Sequence, residues 1–360
     1  MDHCTPRASG MTNAMTIGLD VSDRYSYLYV LDQGGECTEE GRIATTVEAL
    51  GNRFRSMPRA RVALETGTHS PWISRLLAEC GHEVLVANAR ELRFIFGKNK
   101  KTDPTDAEDL ARTARLDPKL LHPVEHRSRQ AQSSLAVLRA RTNLVAARTQ
   151  LVQHVRGAVK SFGTRIRSCT SEAFHNVALG ALPAELHPAL LPLLEAIEVL
   201  TKKIREHDKI IEADLCAVKH PVTTVLRQVE GVGAITALAF VLTLGDPRRF
   251  RNSRRVGAYL GLTPRKADSG DSEPQLRISK AGDGFVRRLL VGSAQYILGP
   301  FGSDSDLRRF GLAISKRGGR NAKKRAVIAV ARKLAVLLHR LWITGEVYEP
   351  IRNKRSKKPS

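Results

Sequence analysis

A chain of 360 residues with 58 Lys and Arg against 36 Asp and Glu carries a formal net charge of +22 and a sequence pI of about 10.3. That length allows two or three domains, and so large an excess predicts attraction to a polyanion, nucleic acid ahead of an anionic membrane surface. No apolar run is long enough to span a bilayer, which excludes an integral membrane protein of the helical type.

Residues 1–14 lack the apolar core of a signal peptide. The five cysteines, Cys4, Cys37, Cys80, Cys169 and Cys216, are odd in number and far apart, with no CxxC or Cys/His cluster. This argues against a zinc site and a disulfide framework, and for a reduced cytoplasmic setting. Aromatic residues make up only 5% of the chain. Base stacking is therefore a poor candidate for recognition, and backbone contact through Lys and Arg a better one.

In chain order, residues 1–15 are expected to form a disordered leader. "TIGLDVS" (16–22) and "YSYLYVLD" (25–32) predict two strands joined by a tight turn at Ser22-Asp23-Arg24, and "GECTEEGRIATT" (35–46) a third, more polar strand. "VEALGNRFRSM" predicts a helix, "ARVALET" (60–66) a buried strand, "SPWISRLLAECG" a helix ending at Gly81, and "HEVLVAN" (82–88) another buried strand. Three strands, helix, strand, helix, strand and then helices make an α/β domain with a mixed sheet, placed at 16–126.

From Ser128 the texture is helical. Val137-Leu138, Leu144-Val145, Leu151-Val152 and Ala158-Val159 recur every seven residues, the seam of a coiled-coil-like helix decorated by Arg139, Arg141, Arg148, Arg156 and Lys160. A second long helix runs from Pro188 to Leu215, with Ile197, Ile204 and Ile211 again at sevens, and residues 162–187 form an ill-defined linker. This region (127–220) is either a spacer or dimer interface, or a nucleic-acid contact through Arg139, Arg148 and Arg156.

Beyond Pro221 comes a mainly helical domain (221–345). "LRQVEGVGAITALAFVLTLGD" sets Gly231 and Gly233 between two apolar helical segments. This is either a helix–hairpin–helix whose amides approach a DNA phosphate or a plain packing hairpin. Basic runs stand at "RRFRNSRR" (248–255) and "KRGGRNAKKR" (316–325), and residues 346–360 form a basic tail expected to be disordered.

"KKTDPTDAEDLARTARL" (100–116) places Asp103, Asp106, Glu108 and Asp109 within seven residues. Asp103 as N-cap, Pro104 at the first helical position and acids in the first turn would account for all four as a helix start. The wider pattern adds Asp20 inside an apolar strand and Glu65 at the end of another, where a carboxylate is costly unless hydrogen-bonded or bound to a metal. Asp103 and Asp106, three apart, share a helix face. Four carboxylates from two strands and a helix suit divalent ions, with Mg²⁺ favoured by oxygen ligands and phosphate chemistry.

"TIGLDVS", "VALETGT" and "KTDPTDAEDLA" together resemble the DEDD signature of a RuvC-like, ribonuclease-H-fold domain, and specifically bacterial insertion-sequence transposases of the DEDD type. The resemblance implies that Asp20, Glu65, Asp103 and Asp106 are catalytic Mg²⁺ ligands, leaving Glu108 and Asp109 as solvated helix-start acids. "GAYLGLTPRKADSGDSEPQLRISKAGDGFVRRLL" (257–290) is similar to the same family's C-terminal transposase domain, with GLTPR, a Ser-Gly turn, RISK and a basic helix. The family's nucleophilic serine falls on Ser269, with Ser272 the second choice because this chain reads Ser-Gly-Asp-Ser. Arg265, Arg277 and Lys280 are then phosphate-holding candidates, and surface charge otherwise. Asp-Ser-Gly alone is ordinary turn chemistry, and no histidine stands near it in sequence to activate the hydroxyl.

The resemblance further implies a recombinase that cuts and rejoins donor and target DNA through a phosphoserine link. It implies guidance by a structured bridge RNA, assembly as a tetramer built from dimers, and association with the bacterial nucleoid. Sequence reading by RNA pairing, with the protein holding backbones, would parallel other guided systems. Competing expectations are a junction-resolving endonuclease using the acids and water, and a non-catalytic nucleic-acid scaffold. An actin-like sugar kinase shares "IGLDVS" but leaves the basic half unexplained.

Overall fold

The computed structural model describes residues 15–89, 102–265 and 276–352. The expected leader up to residue 14, most of the basic tail, and both Ser269 and Ser272 lie outside the described residues. The chain divides into two compact units, residues 1–127 and 128–360.

The first unit is a five-stranded mixed sheet. In chain order it has β1 (Thr16–Val21), β2 (Tyr25–Leu31), β3 (Cys37–Ala44), α1 (Val47–Arg55), β4 (Arg61–Glu65), α2 (Ser70–Glu79), β5 (Glu83–Ala87) and α3 (Asp103–Leu116). The sheet order is β3-β2-β1-β4-β5. β1 pairs antiparallel with β2 and parallel with β4, which pairs parallel with β5.

Strand alternation assigns the faces. Ile17 and Leu19 of β1, Leu28 and Val30 of β2, and Val62 and Leu64 of β4 pack with Leu50 and Phe54 of α1 and Ile73 and Leu77 of α2. Their in-between neighbours face the other way. Tyr29 and Leu31 meet Ala107 and Ala111 of α3, and Ala63 and Ala87 meet Leu110 and Ala114. Arg61, also on this second face, forks onto Glu83 at 3.1 and 3.3 Å and donates to the Ala114 carbonyl at 3.3 Å, tying β4 and β5 to α3.

The second unit is helical: α4 (Arg129–Ala158), α5 (Phe174–Leu179), α6 (His187–Ile210), a π-helical continuation (Ile211–Lys219), α7 (Thr223–Leu226), α8 (Ala234–Leu244), α9 (Arg254–Tyr259), α10 (Gly284–Leu298), α11 (Asp306–Lys316) and α12 (Ala322–Thr344). α8 is apolar all round and buried from Thr236 to Leu244, the signature of a central helix. α10 and α12 pack around it through Leu290, Ala294, Val330 and Leu334.

Leu135 and Leu138 of α4, with Ile211 and Leu215, join that same core. The hairpin and the C-terminal helices are thus one compact unit, where the sequence suggests a boundary near 220. The supposed linker 162–187 is also structured: Ile166, Phe174 and Ala178 form a small core with Val152, Val155, Leu190 and Leu194. Their irregular spacing conceals it, since neither period 2 nor 3.6 fits.

Candidate active site

Glycine at position 18 decides where the helix lies. A side chain there would set its Cβ 1.8 Å from the Ala107 carbonyl oxygen and 2.8 Å from the Ala111 amide nitrogen. α3 therefore runs backbone-to-backbone against β1, with Ala107 and Ala111 presenting the small surface that this contact needs. Further along, Arg115 donates to the Asp32 carbonyl at 3.0 Å, at the end of β2 beside the start of β1. α3 thus begins near the C-terminal end of β1, and its first turn carries Asp103 and Asp106.

Asp20 and Glu65 stand at that same end. Leu19 pairs with Leu64 across the parallel β1–β4 ladder, so Asp20 and Glu65 follow one residue later on neighbouring strands. Alternation puts both on the face covered by α3. Both are half-buried.

The four side chains are all carboxylates, whose oxygens are of the kind that Mg²⁺ takes. Among the described residues, no three His, Cys, Asp or Glu side chains gather into a metal-ligand cluster. The fit to Mg²⁺ is therefore one of donor chemistry and backbone placement.

The helix start differs from expectation by one residue. Thr102, with extended φ −138° and ψ 146°, is the N-cap, and its carbonyl accepts from the Asp106 amide at 3.0 Å. Asp103 is the first helical residue, so its carboxylate does not carry the cap. Glu108, expected to be solvated, is instead held by Arg112 at 2.6 Å and approached by the Tyr29 hydroxyl at 3.4 Å.

Sequence reasoning missed a link between the loops that follow the two strand acids. Trp72 Nε1–H donates to His69 Nδ1 at 3.0 Å, which leaves the proton on Nε2, facing Asp23 Oδ1 at 3.1 Å. The only sequence signal was a histidine four residues beyond a strand-end glutamate.

In the second unit, "GLTPR" and "RISKAGD" are the two sides of a stem. Pro264 bridges Ile278 antiparallel, the Arg265 amide donates to the Arg277 carbonyl at 2.9 Å, and the Ser279 amide donates to the Thr263 carbonyl at 2.8 Å. Gly261 (φ 67°) and Gly282 (φ 68°) interlock the base, where a Cβ would lie 2.3 Å from the Ala281 carbonyl oxygen and 2.1 Å from that of Tyr259, respectively. Arg287, not singled out in the sequence, clasps the base through the Leu260 and Ala281 carbonyls at 2.9 and 2.7 Å. Arg265, Arg277 and Lys280 are exposed on this stem. Lys280 adopts a left-handed φ of 55°, uncommon for a non-glycine residue.

The hairpin arginines divide. Arg139 is exposed and 3.9 Å from Asp283. Arg148, expected on a nucleic-acid-facing stripe, is instead 8% exposed, its guanidinium donating to Thr201 Oγ1 at 3.2 Å. Arg156 is turned inward as well, donating to the Ile166 carbonyl at 3.0 Å and stacking 4.9 Å from the Phe174 ring centre. Arg148 shares the inward face of α4 with Val152 and Val155, and Arg156 is drawn in by the 166–174 segment packed beside it.

Of the two glycines, Gly231 (φ 85°) makes room for α10, since a Cβ would meet Tyr296 Cδ1 at 3.0 Å. Gly233 is the N-cap of α8 and lines a 630 Å³ cavity with Arg141, Arg227 and Arg288.

Family models match two stretches of the chain. The family described as transposase, IS116/IS110/IS902 family, matches residues 223–304, and the IS110-type DEDD transposase model matches residues 17–163. A "Probable family 20 transposase" of Pseudomonas aeruginosa is 29% identical over 348 residues, covering 94% of this chain and 99% of that one. The transposase y4pF/y4sB of Sinorhizobium fredii is 30% identical over 307 residues, 82% of this chain and 76% of its own. The transposase for insertion sequence element IS1111A of Coxiella burnetii is 29% identical over 257 residues, 70% of this chain and 69% of its own. With a DEDD-type sheet domain followed by the family's C-terminal domain, this chain belongs to the IS110 family of transposases.

Proposed function

We propose that this transposase cuts and rejoins DNA through a composite of the acid-bearing sheet edge and a serine of the sequence between Arg265 and Arg277. The observation that carries the reading is the shared placement of four acids. Asp20, next to last in β1, and Glu65, last in β4, lie at one end of neighbouring parallel strands on the face that α3 covers, and Gly18 lets α3 start with Asp103 and Asp106 near that end. The sheet order and the acids suit a RuvC-like, ribonuclease-H-fold domain.

Asp20, Glu65, Asp103 and Asp106 would hold Mg²⁺, which when bound supplies Lewis-acid polarisation of a phosphate oxygen. Ser269 is the nucleophile, with Ser272 its competitor. Its oxygen forms a bond to phosphorus, the bond from phosphorus to one adjoining nucleotide oxygen breaks, and the serine proton is released as that leaving oxygen is protonated. The phosphoserine ester keeps the bond energy needed to rejoin strands. Arg265, Arg277 and Lys280, exposed at the stem of the serine loop, would hold the phosphate in place.

A structured bridge RNA would supply sequence choice and a tetramer built from dimers would bring acids and serine together, with the +22 charge serving backbone contact to both nucleic acids. The setting is the bacterial cytoplasm, at the nucleoid when active.

The experiment is strand cleavage with Mg²⁺ resolved on a denaturing gel. Wild type should yield a protein–DNA adduct, Ser269→Ala should abolish adduct and cleavage together, and Asp106→Asn should abolish both without loss of fold. Glu108→Gln should remain active, because Arg112 and Tyr29 already occupy that carboxylate. Cleavage that survives Ser269→Ala would establish water as the nucleophile, as in a junction-resolving endonuclease.

A further inference from the structure

The turn between α11 and α12 concentrates charge that nothing in the described residues neutralises. Residues 307–345 contain eleven Lys and Arg and no Asp or Glu. Five of the eleven are engaged along the helices. Arg308 donates to the Ile297 and Gly299 carbonyls, Arg309 pairs with Asp304, Lys333 lies 4.2 Å from the Phe310 ring centre, Arg340 pairs with Glu346, and Arg332 packs its stem over Gly257.

The other six, Lys316, Arg317, Arg320, Lys323, Lys324 and Arg325, are all exposed at the tip. None of them forms an ion pair among the described residues.

Their placement works against the local helix field. Lys323, Lys324 and Arg325 occupy the first turn of the 23-residue α12, where the helix macrodipole is positive and acids are favoured. The N-cap, Asn321, makes no side-chain cap bond. Gly318 and Gly319, with φ of 76° and 88°, fold the turn so that Arg317 and Arg320 adjoin this helix end. Six like charges at a positive helix end do not serve the helix's own stability, and no acid among the described residues compensates them, which points to an anionic partner.

The absence of rings defines that partner's chemistry. Residues 311–341 hold no Phe, Tyr or Trp. The tip therefore offers no platform for unstacked bases, and single-strand recognition by stacking does not fit. A regular array of backbone phosphates does.

We infer that the α11–α12 turn is a docking surface for the phosphate backbone of duplex DNA, the nucleic acid on which a transposase acts. It shares no residue with the acid edge or the serine stem, and its role is to hold DNA and not to cleave it. The inference goes beyond the proposed cleavage chemistry and stands whether serine or water is the nucleophile.

The test is fluorescence anisotropy of the full chain on a short duplex of unrelated sequence, titrated over a range of salt. Changing all six cations to Gln should weaken binding more than tenfold at low salt. It should also flatten the slope of log K against log salt by about 3 to 5, close to 0.9 for each phosphate that the protein no longer neutralises. Circular dichroism should stay at the wild-type value and the melting temperature at or above it. Should the sixfold variant fold poorly, Arg317→Gln with Arg320→Gln, confined to the turn, should still flatten the slope by about 1 to 2.

The control removes six exposed cations elsewhere, Arg42, Arg55, Lys119, Arg129, Lys160 and Lys202. An equal loss in the control would overturn the inference and leave only an effect of net charge. So would an unchanged slope in the turn variants, or a loss confined to a structured RNA probe with duplex DNA affinity intact.

Discussion

Gly18 and Ala107 touch through their backbones: no side chain fits between strand β1 and helix α3, because a Cβ on Gly18 would lie 1.8 Å from the Ala107 carbonyl oxygen. This packing sets the height of the helix over the sheet, and with it the position of Asp103 and Asp106 relative to Asp20 and Glu65. Gly18→Ala is therefore expected to act on fold and chemistry together. The helix must lift or the strand must distort, at more than about 3 kcal/mol, the upper end of overpacking penalties. Urea unfolding of the first unit, followed by Trp72 fluorescence, should show the loss. On the proposed chemistry, Mg²⁺-dependent cleavage should fall with it even at temperatures where the variant remains folded.

Much of this was legible in the sequence, for identifiable reasons. Strands β1, β2, β4 and β5 announced themselves because each is a short apolar run closed by a turn, and β1 and β4 each carry a single acid that an apolar setting makes conspicuous. The hairpin helices showed through their sevenfold spacing, and Ile197, Ile204 and Ile211 are all buried. Chain periodicity could not say which arginines face inward. Arg148 and Arg156 look like surface charge in a basic stretch, and only the position of α6 and α5 makes them interior. The stem around the serine loop was equally hidden, because its ladder is only two or three residues deep on each side. The structured linker lacked any period, and the one-residue shift of the α3 start turned on whether Thr102 or Asp103 takes extended backbone angles.

Arg148 offers a direct check on its reassignment. Among the described residues it is a buried cation whose one hydrogen bond goes to a neutral hydroxyl, and its Nε–H finds no partner there. Replacing a buried charge by an apolar side chain of similar length is commonly neutral or stabilising, by up to about 4 kcal/mol. Arg148→Met should leave the denaturation midpoint unchanged or raise it, and DNA and RNA affinities should stay within twofold of wild type, about 0.4 kcal/mol. Thr201→Val, which removes the acceptor and strands the guanidinium, should instead destabilise by about 1–3 kcal/mol. A large loss of nucleic-acid binding in Arg148→Met with unchanged stability would restore it to the binding surface.

Histidine titration gives a pH dependence with a definite sign. Burial, reinforced by the Arg75 and Arg127 charges, pushes His126 below the ordinary histidine range, and burial with Lys219 does the same to His220. In the unfolded chain both return to about 6.5. The unfolded state therefore binds protons more readily. The contribution to stability is fully present above about pH 6.5 and is lost as pH falls through the folded values. Denaturation midpoints should drop between about pH 7 and pH 5. The drop should shrink in His126→Gln, which keeps a polar group within reach of Ser70 Oγ, now 2.9 Å from His126 Nε2. A pH profile identical to wild type would show that His126 takes no part.

The stem of the serine loop separates positioning from folding. Gly261 and Gly282 both have left-handed backbones and both lie against carbonyl oxygens, so an alanine at either meets a torsional penalty and a clash at once. The apolar core of the second unit rests on α8, α10 and α12 and does not draw on the stem residues 263–265 and 277–280. Gly282→Ala should therefore keep its helical circular dichroism while losing the strand that holds Arg277 and Lys280 beside Arg265. On the proposed chemistry the protein–DNA adduct should fall by more than tenfold, with duplex affinity nearly unchanged. Ser279→Ala is the matched control, because among the described residues its hydroxyl accepts only from the Ala281 amide, at 3.4 Å, and its backbone bond to Thr263 survives the change. If Gly282→Ala forms adduct at the wild-type rate, the stem is not what positions the nucleophile. If instead its helical signal collapses, the glycines serve the core and not the loop.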